Sequence, residues 1–67
     1  MITVKYDKED GTWVVDRDGD ILDIDNHRDL AFLSAVSSAD DSETIEVYNE
    51  DGSLDFNFEI DEGNDSF

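Results

Sequence analysis

Asp16, Asp18 and Asp20 stand at the 1, 3, 5 spacing with which a calcium-binding loop wraps carboxylates around a hard cation. The rest of such a loop does not follow. Ile21 occupies the sixth position, where a sharp turn needs glycine, and His27 occupies the twelfth, where a bidentate glutamate belongs. The flanking pattern is strand, turn, strand, and alternation along a strand separates side chains that a cation would need together. The three aspartates therefore read as a solvated turn, and no metal site is expected. Catalysis is the next chemistry to weigh. The chain has one histidine and no cysteine, and no serine, histidine and aspartate are spaced as a triad. His27 precedes a predicted helix and reads as a surface residue. General acid–base work needs a carboxyl raised in pKa by an apolar pocket, and 67 residues leave little room for one. The sequence is read as non-enzymatic, with no cofactor.

The carboxylates form their clearest pattern near the end of the chain. Leu54, Phe56, Phe58 and Ile60 alternate with Asp55, Asn57, Glu59 and Asp61, the period of a strand with one buried and one open face. Asp55, Glu59 and Asp61 then share the open face. Residues two apart on a strand lie about 6.7 Å apart, close to twice the 3.4 Å axial advance of successive phosphates along one DNA strand. Glu46, in a neighbouring predicted strand, and Glu50 and Asp51, in the turn between, extend this to a second row. Such rows imitate a nucleic-acid backbone and fit a groove lined by lysine and arginine. Asp40 and Asp41 flank the set. They follow the predicted end of a helix, where the macrodipole disfavours anions by a few tenths of a kcal/mol. A solvated sheet face explains polarity at these positions, but not the absence of lysine after Lys8.

Charge asymmetry strengthens that reading. The chain carries 20 acidic and 4 basic residues, a net −16. Met1 to Leu33 hold nine acids and all four bases, net −5, whereas Ser34 to Phe67 hold eleven acids and no base, net −11. Self-repulsion on this scale destabilises a compact state. A one-sign face kept despite that points to a partner of the opposite sign, without direct binding to nucleic acid.

The elements that must position these groups follow from periodicity and turn chemistry. A chain of this length is one domain that buries only about 60% of its unfolded surface, and it has no disulfide to help. Seven aromatic residues and regular patterning argue against disorder, which high charge alone would suggest. A fold is expected from Ile2 to Ile60, with Asp61 to Phe67 a frayed acidic tail. Ile2, Val4 and Tyr6 alternate with polar residues, and Thr12 to Arg17 is β-branched and aromatic, so the two form a hairpin about Lys8-Glu9-Asp10-Gly11. Asp18-Gly19 turns into a short apolar segment, Ile21, Leu22 and Ile24, a possible third strand. Asn26 is placed to cap a helix running to about Ala39. Thr44 to Asn49 and Leu54 to Asp61 make a last hairpin about Glu50-Asp51-Gly52-Ser53. The class is α+β: a small antiparallel sheet of four to five strands, β-β-(β)-α-β-β, with one helix packed on one face. No segment is long and apolar enough to span a bilayer, and the N-terminus lacks the apolar core of a signal peptide. A soluble, cytoplasmic protein is expected, either monomer or dimer.

This order, with Asp10-Gly11-Thr12-Trp13-Val14-Val15 and the late Asp51-Gly52, resembles a family of short prokaryotic ββαββ domains of uncharacterised function. The resemblance implies a fold, while the shorter helix and uniform charge depart from that family's Ala- and Arg-rich helix and mixed charge. In size, charge and sheet-rich make-up the chain also resembles the acidic DNA-mimic proteins of phages and mobile elements, which share no sequence motif. That resemblance implies an anti-CRISPR or anti-restriction inhibitor in the host-cell cytoplasm, bound to a basic nucleic-acid-binding protein. The alternative is a domain from a salt-loving organism, with a scaffolding or unknown function. Fourteen Asp against six Glu, with two Lys, fit that habit.

Overall fold

A computed structural model describes residues 1–60. Strands β1 (Ile2–Asp7), β2 (Thr12–Arg17) and β3 (Asp20–Asp25) precede helix α1 (Arg28–Ser38), which is followed by β4 (Thr44–Tyr48) and β5 (Leu54–Glu59). The five strands form one sheet in the order β3-β2-β1-β4-β5, so the possible third strand is present and the architecture is α+β. The expected tail, Asp61 to Phe67, lies outside the described residues. Among those described, no helix is long and apolar enough to cross a membrane.

Two hairpin connections build the β1-β2-β3 meander. Asp18 and Gly19 both take positive φ, 52° and 97°, the backbone of a tight turn whose twist matches that of the strands it joins. The meander occupies one side of β1 and leaves the other open. The chain then crosses the sheet as α1 and returns as β4 beside β1, in parallel. A parallel pair needs such a crossover, so the sheet is mixed where a purely antiparallel one was expected. The remaining three pairings are antiparallel.

The helix packs on one face through Ala31 and Ala35, both fully buried. Their small side chains let the helix lie close over Ile2, Val4, Trp13, Val15, Ile45 and Val47, which complete the core. Trp13 is thus a core residue, with its ring 5.0 Å from that of Tyr6. The helix starts one residue later than the sequence suggests. His27 holds the N-cap position, with extended backbone and no side-chain cap. Asp25 explains the shift: its carboxylate accepts the His27 N–H at 3.1 Å, and the His27 carbonyl accepts the first helical N–H, from Ala31, at 3.0 Å.

The inward and outward faces of the edge strands depart from a simple alternation. Asp23 and Asp25 pair across from Val15 and Trp13 and so face the helix side, while Ile24 pairs with Val14 on the helix-free side. A register shift between Val15 and Asp16 brings Ile21 opposite Asp16 on that same outer face. Ile21 and Ile24 are accordingly exposed.

Candidate acidic interaction surface

Arg17 and Glu43, 26 residues apart in sequence, organise one end of the sheet. The Arg17 Nε and Nη2 donate to the two Glu43 carboxylate oxygens at 2.9 and 2.7 Å. Nη2 also donates to the Ser38 carbonyl at 2.9 Å, so a cation sits at the helix C-terminus, where the macrodipole favours one. Glu43 further accepts the Asp40 N–H at 2.8 Å and lies 3.3 Å from the N-terminal ammonium. The Arg17 hydrogen bonds above all, then the Asp40 N–H, hold the Glu43 carboxyl at a pKa of about 2, below the usual carboxylate range.

Asp40 and Asp41 belong to this end. Asp40 is 3.7 Å from Arg17 and mostly exposed, and Asp41 is exposed in the loop before β4. Their placement after a helix C-terminus is made tolerable by Arg17, a device that sequence order alone does not reveal.

Glu50 and Asp51 lie at the opposite end, in the β4–β5 turn. Five strand residues separate the two ends, about 16 Å at the usual rise. Within the turn the Asn49 N–H donates to the Ser53 carbonyl at 2.7 Å, and the Asp51 carboxylate accepts from the Ser53 hydroxyl and N–H at 2.7 and 2.9 Å. Those bonds lower the Asp51 pKa and give this side chain a structural part in the turn.

Between the ends, Glu46 and Glu59 share the helix-free face. Glu46 pairs with Asn57 and Glu59 with Thr44, which makes the two glutamates diagonal neighbours about 7–8 Å apart at the usual sheet spacing. The Tyr48 hydroxyl donates to Glu46 at 2.9 Å, and that carboxylate raises the Tyr48 pKa. Lys5 lies over the Tyr48 ring, 5.2 Å from its centre. Tyr48 is therefore half-buried on the sheet's open face, while Trp13 is in the core.

Asp55 leaves the expected row. Val47 pairs with Phe56 but Tyr48 pairs with Leu54, so Asp55 is the extra residue of a bulge. The bulge hands Asp55 to the Arg28 guanidinium, with which it forms an ion pair. Arg28 lies 5.8 Å from the Trp13 ring and 5.9 Å from the Phe56 ring, tying the start of α1 to β5. Asp61 lies outside the described residues. Asp55 thus leaves the expected row, and among the described residues Glu46 and Glu59 form a pair flanked by an acidic cluster at each end of the sheet.

The Asp16-x-Asp18-x-Asp20 spacing resolves as a turn. Asp16 accepts the Gly19 N–H at 3.1 Å and a hydrogen bond from the Thr3 hydroxyl, while Asp18 and Asp20 are exposed. Among the described residues no three acidic or histidine side chains are grouped to hold a metal ion. A hollow of about 440 Å³ on the helix-free side sets Lys5 and Lys8 against Asp7 and Asp16 and is lined by no histidine, serine or cysteine.

Comparison of the chain with protein-family models, curated proteins and solved structures finds no match. The functional reading rests on the chain's own residues. The residues that sequence reasoning missed are Arg17, Arg28 and Glu43. Their signal was scarcity: four bases among twenty acids are each expected to have a carboxylate to answer.

Proposed function

We propose that this protein is a non-enzymatic acidic decoy that blocks a basic nucleic-acid-binding protein or complex, as an anti-CRISPR or anti-restriction inhibitor does in the cytoplasm of a host cell. One observation carries the reading. Among the described residues, ion pairs within 4 Å are made only by Arg17, Arg28 and the N-terminal ammonium. Asp41, Glu46, Glu50 and Glu59 therefore form no ion pair among the described residues, and their charge is available to an external cation, whereas Asp51 is bonded to Ser53 and feels the charge of Lys8.

The arrangement suggests how such a decoy works. Two acidic clusters about 16 Å apart span about five axial phosphate steps of 3.4 Å, and Glu46 with Glu59 lies between them. A groove built for a phosphate backbone meets charge at both ends and at its middle. Attraction of this kind accelerates encounter and weakens steeply with salt. The surface competes for the groove by charge, with no bond made or broken.

The wide dispersal of the acids favours a second reading, adaptation to a concentrated salt medium with scaffolding or another function. Folding against salt separates the two. The decoy reading predicts that circular dichroism and Trp13 fluorescence report a folded protein at ordinary ionic strength, about 0.15 M, where charges more than about 8 Å apart are already screened. A protein that is unfolded there and folds only in molar salt supports the second reading.

A further inference from the structure

We propose that β5 is a docking edge at which an extended segment of the basic partner, alternating Lys or Arg with aliphatic residues, adds as a sixth strand. The proposal rests on the basic-partner reading and specifies its mode of contact. β5 ends the sheet, with β4 its one neighbour among the described residues, and all six of its residues are exposed. The helix packs over β3, β2, β1 and β4 and reaches β5 through Phe32, whose ring meets Phe56 and Phe58 edge-on at 5.7 and 5.9 Å. Phe56 and Phe58 remain 40% and 44% exposed, a half-covered apolar strip along a strand edge.

The two edges of the sheet differ in how they discourage pairing. On β3, Asp23 and Asp25 face the helix side and a register shift interrupts the strand, the devices by which edge strands are protected. On β5 the bulge at Asp55 ends before Phe56, and from Phe56 to Glu59 no inward charge or proline follows. The Ile60 N–H donates to the Glu43 carbonyl across the hairpin. Alternation then turns the N–H and C=O of Asn57 and Glu59 away from β4. Those groups are the template for an added strand, with main-chain bonds giving affinity and alternate side chains giving specificity.

Charge selects the occupant. Aliphatic residues of the added strand cover Phe56 and Phe58 on the helix side, and basic residues meet Glu59 and Glu46 on the other. The nearby cation, Arg28, is engaged by Asp55. A second copy is disfavoured, because each chain brings −16 to an edge-to-edge contact.

The test uses the full chain and two synthetic peptides of identical composition, acetyl-Lys-Val-Lys-Val-Lys-Val-amide and acetyl-Lys-Lys-Lys-Val-Val-Val-amide, at low ionic strength. The alternating peptide is expected to slow amide exchange at Asn57 and Glu59 about tenfold or more and to bind several-fold tighter than the block peptide. Asn57→Pro removes an outward N–H, a position where an edge strand accepts proline, and is expected to abolish the preference for the alternating peptide. Glu59→Lys, an exposed charge reversal, is expected to weaken that peptide about tenfold and serves even if the proline variant does not fold. Equal binding of the two peptides, or protection at another edge, overturns strand addition. Retained salt-sensitive binding of both peptides would then leave the decoy reading standing, whereas failure of both to bind at low salt counts against both.

Discussion

Replacing Ile45 by alanine is expected to leave the protein largely unfolded at 25 °C, while Ile21→Ala keeps it folded. Ile45 is fully buried on β4, whereas Ile21 is 62% exposed on β3. Truncating a buried isoleucine costs about 2–5 kcal/mol, because packing atoms are lost and the cavity relaxes only partly. A core this small supplies no more than about 3–5 kcal/mol of net stability, and the repulsion among twenty acids lowers it further. Ile21→Ala removes a side chain that is already hydrated and changes stability by about 0.5 kcal/mol or less. Urea titration followed by Trp13 fluorescence reads both variants. Comparable losses for the two would mean that the helix-free face of β3 is covered in solution.

The second large effect depends on pH. Glu43→Gln is expected to cost about 2 kcal/mol at pH 7, a value reduced from the full pKa shift because the pair is partly reached by solvent. The folded pKa of Glu43, about 2, lies below its ordinary 4.5. The stabilisation is therefore complete above about pH 4.5 and is lost as pH falls through about 2. The variant and the parent should differ most at neutral pH and converge near pH 2. The carboxyl carbon of Glu43, followed by NMR, should titrate with a midpoint near that same value. A stability difference that stays constant from neutral pH to pH 2 would assign the effect to hydrogen-bond geometry rather than to charge.

Much of the fold was legible because its signals are local. Period-2 alternation marked β1, β2, β4 and β5, and Gly11, Gly19 and Gly52 marked turns where the backbone takes positive φ. The parallel β1–β4 pair was not legible. Alternation reports that a strand has two faces, not which strand lies beside it. The outward turn of Ile21 and Ile24 was hidden for a related reason. An apolar segment suggests burial, yet here the bulge and the paired aspartates assign it to the open face.

The candidate site was legible in its charge and less so in its shape. Counts of acids and bases gave the sign of the surface. The alternation Leu54, Phe56, Phe58, Ile60 implied one row of carboxylates, Asp55, Glu59 and Asp61, on the opposite face. The hairpin interrupts that row, because closing Asn49 onto Ser53 leaves one residue extra on β5, and Asp55 is that residue. The Arg17–Glu43 pair was invisible for want of a local signal, since it joins the end of β2 to the loop before β4. Scattering the acids to both ends of the sheet also eases their repulsion, and so allows a folded chain to carry such a charge.

The most direct test of the decoy account is displacement. The protein is immobilised, exposed to host-cell extract at low salt, and washed in parallel with duplex DNA and with polyglutamate at equal charge concentration, the released proteins being identified by mass spectrometry. Duplex DNA is expected to release one nucleic-acid-binding protein or complex well before polyglutamate does, and rising salt to abolish its retention. Retention of no protein, or of a broad set of basic proteins released equally by both polymers, would contradict the decoy account.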